Sequence, residues 1–318
     1  MCKQICPVTV VIPTYNREND LVQAINDLLL QSHPEYEILI IDQTAEHEES
    51  TAMFLHECAD RIRLIRLPVA NLPAARNEGI RKAKYKIVVF VDDDARIPRD
   101  YLLAHARNYA DSSIQAVAGP VLAPEKRWKQ ERPEYADDPL LRIFNACWQF
   151  SGRCEVSHAP GGNMSFYREI ALKAGLFDEN YHGPGFREES DFFIRLTRLG
   201  VKIIYDPSAW IIHPPGFRTG GCWSDHNKIP SKIRFFNHAY FVFKNFDRRL
   251  IFKLFFRDIR SHFIRRYTCL HPLLTLRKIF RFTSGWFKAM REAPRESFIT
   301  ATDIRAQQTT IHQKGNPM

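Results

Sequence analysis

The stretch Tyr85-Lys-Ile-Val-Val-Phe-Val-Asp-Asp-Asp-Ala-Arg-Ile-Pro-Arg99 decides how the rest of the chain is read. Ile87 to Val91 is an unbroken β-branched and aromatic run, the pattern of a strand buried on both faces. It ends in three carboxylates, Asp92, Asp93 and Asp94, and Pro98 then opens a helix, where a missing N–H costs nothing. Acids crowded at the end of a buried strand repel one another. In solvent they form an acidic turn; drawn into a pocket they call for a divalent cation, which takes hard oxygen ligands.

Toward the N-terminus the same alternation repeats. Val8 to Ile12 is a strand stopped by Pro13, followed by the loop Thr14-Tyr15-Asn16-Arg17 and a helix from about Asn19 with Leu21, Ile25, Leu28 and Leu29 on one face. A second strand, Glu37 to Ile41, runs into Asp42. A polar, acidic helix leads to a third strand, Ile62 to Leu67, and Pro73 opens a helix carrying Arg76 and Asn77. Strands and helices alternating over short connections predict a largely parallel α/β sheet wound with helices on both faces. Ligands of such sheets lie outside the carboxyl ends of the strands. Those ends carry Pro13, Thr14, Tyr15, Asp42 and Asp92 to Asp94, with Arg76 in the first turn of an intervening helix. An aromatic to stack on a base, a carboxylate for a base N–H or ribose hydroxyl, an arginine for phosphate and acids for a metal make a nucleotide site. Neither GxGxxG nor GxxxxGK[ST] is present.

Toward the C-terminus, Ile114 to Leu122 reads as a strand containing Gly119-Pro120, and residues 124–139 as a mobile polar loop. Gly161-Gly162-Asn163-Met164-Ser165-Phe166 is a tight turn entering a strand, with a short helix from Arg168 to about Gly175. Residues 182–185 have hinge-like composition. A helix follows with Phe192, Phe193, Leu196 and Leu199 at helical spacing and Gly200 as its cap. Its first turn crowds Glu188, Glu189 and Asp191, which serve either the helix dipole or chemistry. Val201 to Tyr205 and Ala209 to Ile212 are short strands, and His213 ends the second.

Composition bounds the rest. The 318 residues suffice for one large domain with an appendage or for two domains. No apolar run approaches the roughly 20 residues of a membrane span, and no signal-peptide pattern opens the chain. Seven cysteines with no CxxC pair read as reduced, mostly buried thiols of a cytosolic protein, without zinc-ligand spacing. Charge is uneven: residues 223–291 hold 16 lysines and arginines against three acids, a net +13, which leaves −4 for the remainder of the +9 chain. Phe235, Phe236, Tyr240, Phe241, Phe252, Phe255 and Phe256 interleave with these cations as in basic, aromatic amphipathic helices. Such helices either pack back on the body or dock on an anionic inner membrane surface, peripheral to its cytoplasmic face. No nucleic-acid recognition motif accompanies them. The expected organisation is 1–215 as a catalytic domain (halves 1–110 and 111–215), 216–293 as a basic helical region, and 294–318 as a disordered tail.

These pieces in this order resemble an inverting family 2 glycosyltransferase of the GT-A fold. The resemblance rests on Val-Val-Ile-Pro-Thr-Tyr-Asn-Arg (10–17), Ile-Ile-Asp (40–42), Ala-Arg-Asn-Glu-Gly (75–79) and Phe-Val-Asp-Asp-Asp (90–94). It continues through Gly-Gly-Asn-Met-Ser (161–165), Glu-Glu-Ser-Asp (188–191) and Ile-Ile-His (211–213), covering residues 7–215. It implies a nucleoside-diphosphate sugar donor facing Pro13, Thr14, Tyr15, Asp42, Arg76, Asp92 and Asp93, with Asp92 toward the ribose. It implies a divalent cation, Mg²⁺ or Mn²⁺, on Asp94 and His213, and an acceptor loop at Gly162 and Asn163. The acceptor would be a glycan or a lipid-linked sugar of cell-surface polysaccharide synthesis. The family's catalytic base is the second acid of a Glu-Asp pair, which here is Glu189; Glu188 and Asp191 stay open as alternatives. Gln43 departs from the pattern, where many members carry another Asp. A sugar nucleotidyltransferase is the other enzyme class such a sheet serves, and a non-catalytic adaptor the remaining reading.

Overall fold

A computed structural model describes residues 5–122, 150–183, 185–213, 231–263 and 272–294. The expected loop at 124–139 lies outside the described residues, as does the expected tail beyond residue 294.

The first hundred residues run β1 (Val8–Thr14), α1 (Asn19–Leu29), β2 (Tyr36–Asp42), α2 (Glu49–Glu57), β3 (Arg63–Arg66), α3 (Leu72–Lys82) and β4 (Ile87–Val91). Then come α4 (Tyr101–Asn108), β5 (Ala116–Ala118), β6 (Val121–Leu122), β7 (Cys154–Val156), β8 (Asn163–Tyr167), α5 (Arg168–Lys173), α6 (Glu188–Arg198), β9 (Ile203–Tyr205) and β10 (Ile211–Ile212). Eight strands form one mixed sheet in the order β3-β2-β1-β4-β8-β5-β9-β7, and β10 pairs with β6 beside it. Pairing is parallel except where β8 meets β4 and β5, and where β7 meets β9.

The unbroken apolar runs are explained by two-sided burial. In β4, Val88 and Phe90 face one core with Ala75, Ile80, Phe192, Phe193 and Leu196. Ile87, Val89 and Val91 face the other, with Leu21, Ile25, Leu55 and Leu102. Helices α3, α5 and α6 cover one face and α1, α2 and α4 the other. Each fully buried large apolar side chain contributes about 1.5–3 kcal/mol; β8 differs, alternating Asn163 and Ser165 with Met164 and Phe166 of the first core.

Three local readings are corrected. The first strand does not stop at Pro13 but pairs through Thr14 with β2, Pro13 opposite Ile41. Pairing with β4 ends at Val11, so the missing N–H breaks no ladder on that side. The expected strand Ile114–Leu122 is two pieces, split at Gly119-Pro120. There β6 leaves the main sheet for β10, and a Cβ on Gly119 would collide with Asn163 and the Ala209 carbonyl. The helix expected from Pro98 begins at Tyr101.

Helices α7 (Ser231–Asn245), α8 (Arg248–Phe263) and α9 (Pro272–Glu292) form a third apolar cluster with Tyr181 and Ile194 of the body. Part of the aromatic content of the basic region thus packs back on the domain. Asp191 anchors this junction: it meets Lys244 Nζ at 3.1 Å and accepts from Asn245 Nδ2 at 2.9 Å. Cys6 and Cys58 are free thiols. Among the described residues no helix is long and apolar enough to cross a membrane.

Candidate active site

Strand β1 lies between β2 and β4, and the chain departs from it in opposite directions along the sheet. The carboxyl ends of β1 and β4 therefore border the crevice where doubly wound sheets bind ligands. Thr14 sits at the end of β1 beside Asp42 of β2, and Asp92 to Asp94 follow β4.

The loop after β1 turns through Asn16, whose φ of +50° is left-handed, a conformation asparagine tolerates better than most residues. The Asn16 N–H donates to Thr44 Oγ1 at 2.8 Å. This turn sends Arg17 back beneath the acids, where it is 1 % exposed. Its Nη2 donates to Asp94 Oδ2 at 2.7 Å, and its Nε lies 3.4 Å from Asp93 Oδ1. Thr14 Oγ1 donates to Asp93 Oδ2 at 2.8 Å. The sequence reading gave Arg17 no role, yet it is the buried cation that offsets part of the acidic charge.

From the other side, Arg96 and Ile212 exchange backbone hydrogen bonds of 2.8 and 3.0 Å, and the His213 N–H donates to the Leu122 carbonyl at 2.8 Å. This bridge sets His213 Nε2 3.0 Å from Asp94 Oδ1. One ligand atom from each of Asp92, Asp94 and His213 falls within 4.8 Å of the others. Residues 119 positions apart thus form one donor set, and Asp92, expected at the ribose, belongs to it. Two carboxylates and an imidazole suit a divalent cation such as Mg²⁺ or Mn²⁺.

The electrostatics follow from burial. Burial, then the charge of Asp94, raises the pKa of Asp92 despite Arg76 and His213. The same two causes push Asp93 to about 8. Burial also pushes Asp94 upward, but the hydrogen bond and charge of His213, with Arg17, outweigh it and leave its pKa lowered. The hydrogen bond to Asp94 carries His213 to about 9, against an ordinary 6.5.

Helix α3 is capped by Asn71, whose side chain accepts from the Ala74 N–H at 2.9 Å. Gln43, the departure noted above, donates to the Val69 and Asn71 carbonyls at 2.7 and 3.0 Å and so ties the segment entering α3 to β2. The helix delivers Arg76, 3 % exposed, to an ion pair with Glu188 at the start of α6. Gly161 and Gly162 pass under this group. A Cβ on Gly161 would meet the Arg76 guanidinium, and one on Gly162 would overlap the Asp92 carboxylate. Glycine is needed there because backbone takes the place of a side chain.

Glu189 lies two residues beyond Arg187, whose φ is +78°. Burial raises the pKa of Glu189; Arg76 and Arg187 oppose this and Asp92 adds to it, so the carboxyl sits within electrostatic reach of the donor crevice. Among the described residues Glu189 has no ion pair. Of the alternatives, Glu188 is taken by Arg76, and Asp191, fully buried, is turned to Arg195, Lys244 and Asn245.

Two of the expected site residues are enclosed. Asn163, expected in the acceptor loop, is fully buried. Its Nδ2 donates to the Pro120 and Ala209 carbonyls at 2.8 Å each, and its Oδ1 accepts from Tyr101 at 3.2 Å and His105 Nε2 at 3.0 Å. Those carbonyls fix the amide orientation, so His105 carries its proton on Nε2 and accepts the Ser165 hydroxyl at Nδ1, 2.8 Å away. Burial takes the His105 pKa down to about 4, which keeps the brace neutral. Asp42, expected to read the base, is also fully buried, enclosed by the Thr44 N–H at 2.8 Å and His47 Nε2 at 3.1 Å. Tyr15 is half-buried at the mouth of the crevice loop.

Known proteins place this arrangement. The model of the family described as Glycosyl transferase family 2 matches residues 9–174. An uncharacterized glycosyltransferase of Rickettsia felis is 37 % identical over 103 residues; this covers 31 % of the chain and only 17 % of that longer protein. The glucosyl-dolichyl phosphate glucuronosyltransferase of Haloferax volcanii is 23 % identical over 65 % of this chain and 68 % of its own. Among solved structures, the mannosyltransferase PcManGT from Pyrobaculum calidifontis, in complex with GDP-Man and Mn²⁺, superposes with a TM-score of 0.51 at 16 % identity, covering 98 % of this chain and 76 % of that one. The architecture is therefore the GT-A fold that the motifs implied. With a family match over more than half its length, the chain belongs to glycosyl transferase family 2.

Proposed function

We propose that this protein transfers a sugar from a nucleoside-diphosphate donor to a hydroxyl of a glycan or lipid-linked acceptor, in one inverting displacement assisted by a divalent cation. The observation that carries the reading is the convergence of Asp92, Asp94 and His213 at the ends of β4 and β10. A cation held there would offset the negative charge that grows on the departing diphosphate. Arg76, in the first half of α3, adds a fixed positive charge near that group. Pro13, Thr14 and Tyr15 shape the wall where the nucleoside would lie, and Asp93, bonded to Thr14, ties that wall to the acids.

Glu189 is the proposed base. It would take the proton from the acceptor oxygen as that oxygen attacks the anomeric carbon from the side opposite the diphosphate. A raised pKa suits this task, because a base poised nearer neutrality both accepts the proton readily and stays ionised in a useful fraction. A single displacement inverts the anomeric centre and needs no protein nucleophile. Support for a lipid-linked or polysaccharide acceptor comes from the names of relatives, one of them a glucuronosyltransferase of glucosyl-dolichyl phosphate.

The test is a thermal-shift screen of nucleoside diphosphates and nucleotide sugars, with and without Mg²⁺ or Mn²⁺. A ligand that binds only the folded state raises the melting temperature with occupancy. Cation-dependent stabilisation by one nucleoside diphosphate, followed by its release from the matching sugar donor, is the expected result. Release of pyrophosphate from a nucleoside triphosphate would point to a nucleotidyltransferase instead.

A further inference from the structure

The packing of α7 to α9 leaves one surface unexplained. In α8, Leu250, Leu254 and Asp258 turn inward. Arg249, Phe252, Lys253 and Phe256, at spacings of three and four residues, form an exposed stripe. Phe252 is 66 % exposed and Phe256 62 %. Helix α9 repeats the arrangement: Phe282, Trp286 and Ala289 are buried, whereas Arg277, Phe280 (72 % exposed), Phe287 (60 %) and Arg291 lie outward. Four large exposed aromatics on two helices are not scattered surface residues; an apolar stripe rimmed by polar groups marks a docking face.

We propose that the outward stripes of α8 and α9 dock on an anionic lipid surface. The charge pattern selects this occupant. The acids nearest the α8 stripe are withdrawn from it: Asp247 accepts the Leu250 N–H at 2.8 Å, and Asp258 is buried 2.7 Å from His238 Nε2. The α8 stripe therefore presents cations and aromatic rings and no carboxylate, and on α9 the exposed acid beside Arg291, Glu292, is paired with Lys288 at 3.8 Å. Arginine and lysine stems can lie along a bilayer surface with their heads at lipid phosphates while the rings enter the headgroup boundary. Among the described residues no helix is suited to crossing the bilayer, so the contact is one of lying on it. Because α7 and α9 pack on each other, and α7 on α6 through Asp191, docking through these helices would hold the domain at a fixed attitude to the membrane. This inference goes beyond the transfer reaction and does not depend on it.

The experiment is flotation of the full chain with vesicles of phosphatidylcholine alone and of phosphatidylcholine mixed with phosphatidylglycerol. The protein is expected to float with the anionic vesicles, and less so as salt is raised. Replacing both cations (Arg249→Gln with Lys253→Gln) should weaken partitioning roughly 30-fold, about fivefold per cation. Replacing both rings (Phe252→Ser with Phe256→Ser) should weaken it roughly 10- to 100-fold if each ring enters to half its depth. All four residues are exposed, so circular dichroism and melting temperature should not change. Met53→Ser, an exposed apolar residue of α2, should leave flotation unaltered. Failure of the folded protein to float with anionic vesicles overturns the proposal, and so does equal binding to neutral ones. A self-associated species that the two Phe→Ser changes dissociate would assign the face to a second copy, and retention by RNA but not by vesicles would assign it to nucleic acid; either overturns it.

Discussion

Replacing Arg17 by methionine removes a cation while keeping most of its volume. The guanidinium is 1 % exposed, 2.7 Å from Asp94 and 3.4 Å from Asp93. Breaking a buried ion pair by deleting one partner costs about 3–5 kcal/mol, because the other charge stays behind unpaired. The lower end applies, since His213 still faces Asp94 at 3.0 Å and Asp93, pushed to about 8, holds a proton at neutral pH. About 3 kcal/mol in a domain of this size lowers the melting temperature by roughly 6–12 °C. The assay is thermal unfolding in chelator and then in excess Mn²⁺. The expected result is a fall of that size in chelator, and a larger upward shift on adding Mn²⁺ for the variant than for the parent, because the ion supplies the missing positive charge. If the variant melts with the parent in chelator, Arg17 is not what offsets the carboxylates, and the electrostatic account of the site is wrong.

Other consequences are equally specific. Glu189→Gln should lower kcat by about 10²–10⁴-fold while nucleotide affinity by calorimetry stays put; normal turnover would return the base assignment to another residue. The pH dependence has a definite sign. His213, raised to about 9 from 6.5, contributes stability fully present below about pH 6.5 and lost as pH climbs through 9. Asp93, raised to about 8 from 3.8, acts in the same direction between about pH 4 and 8, so metal-free protein should lose stability as pH climbs from about 4 to 9 and Mg²⁺-loaded protein should lose less, read as melting temperature against pH. Asn163→Ala leaves the Ala209 carbonyl and the His105 Nε2–H without a partner, whereas the Pro120 carbonyl keeps the Ile211 N–H at 3.0 Å and the Tyr101 hydroxyl keeps the Phe90 carbonyl at 3.0 Å. At about 1–3 kcal/mol for each buried unsatisfied group, urea unfolding should show a loss of at least about 2 kcal/mol; unchanged stability with a raised acceptor KM would place it in the acceptor loop.

What could be read from sequence was whatever is local. Ile87 to Val91 is apolar at every position because both faces are covered, so the strand and the acids at its end announce themselves. His213 is found the same way, at the end of a short apolar run. Arg17 could not be found, because its role depends on a left-handed turn at Asn16 and on carboxylates 77 residues away. The bracing by Asn163 was not legible because a Gly-Gly-Asn turn has loop composition, while its partners lie at residues 101, 105, 120 and 209. Asp191 shared a first helical turn with Glu188 and Glu189, and nothing local shows that its face of the helix meets α7. Strand β7 is three residues at the sheet's edge, too short to carry a period.

The claim on which the account turns is that Asp92, Asp94 and His213 hold the cation that binds the donor diphosphate. Isothermal titration of the preferred nucleoside diphosphate into parent and Asp94→Asn proteins, each with Mn²⁺ and with chelator, tests it directly. The parent should bind with Mn²⁺ and lose affinity by more than about 100-fold in chelator, and Asp94→Asn should bind weakly in both. Equal affinity with and without the ion, or an undiminished Mn²⁺ effect in Asp94→Asn, would contradict it.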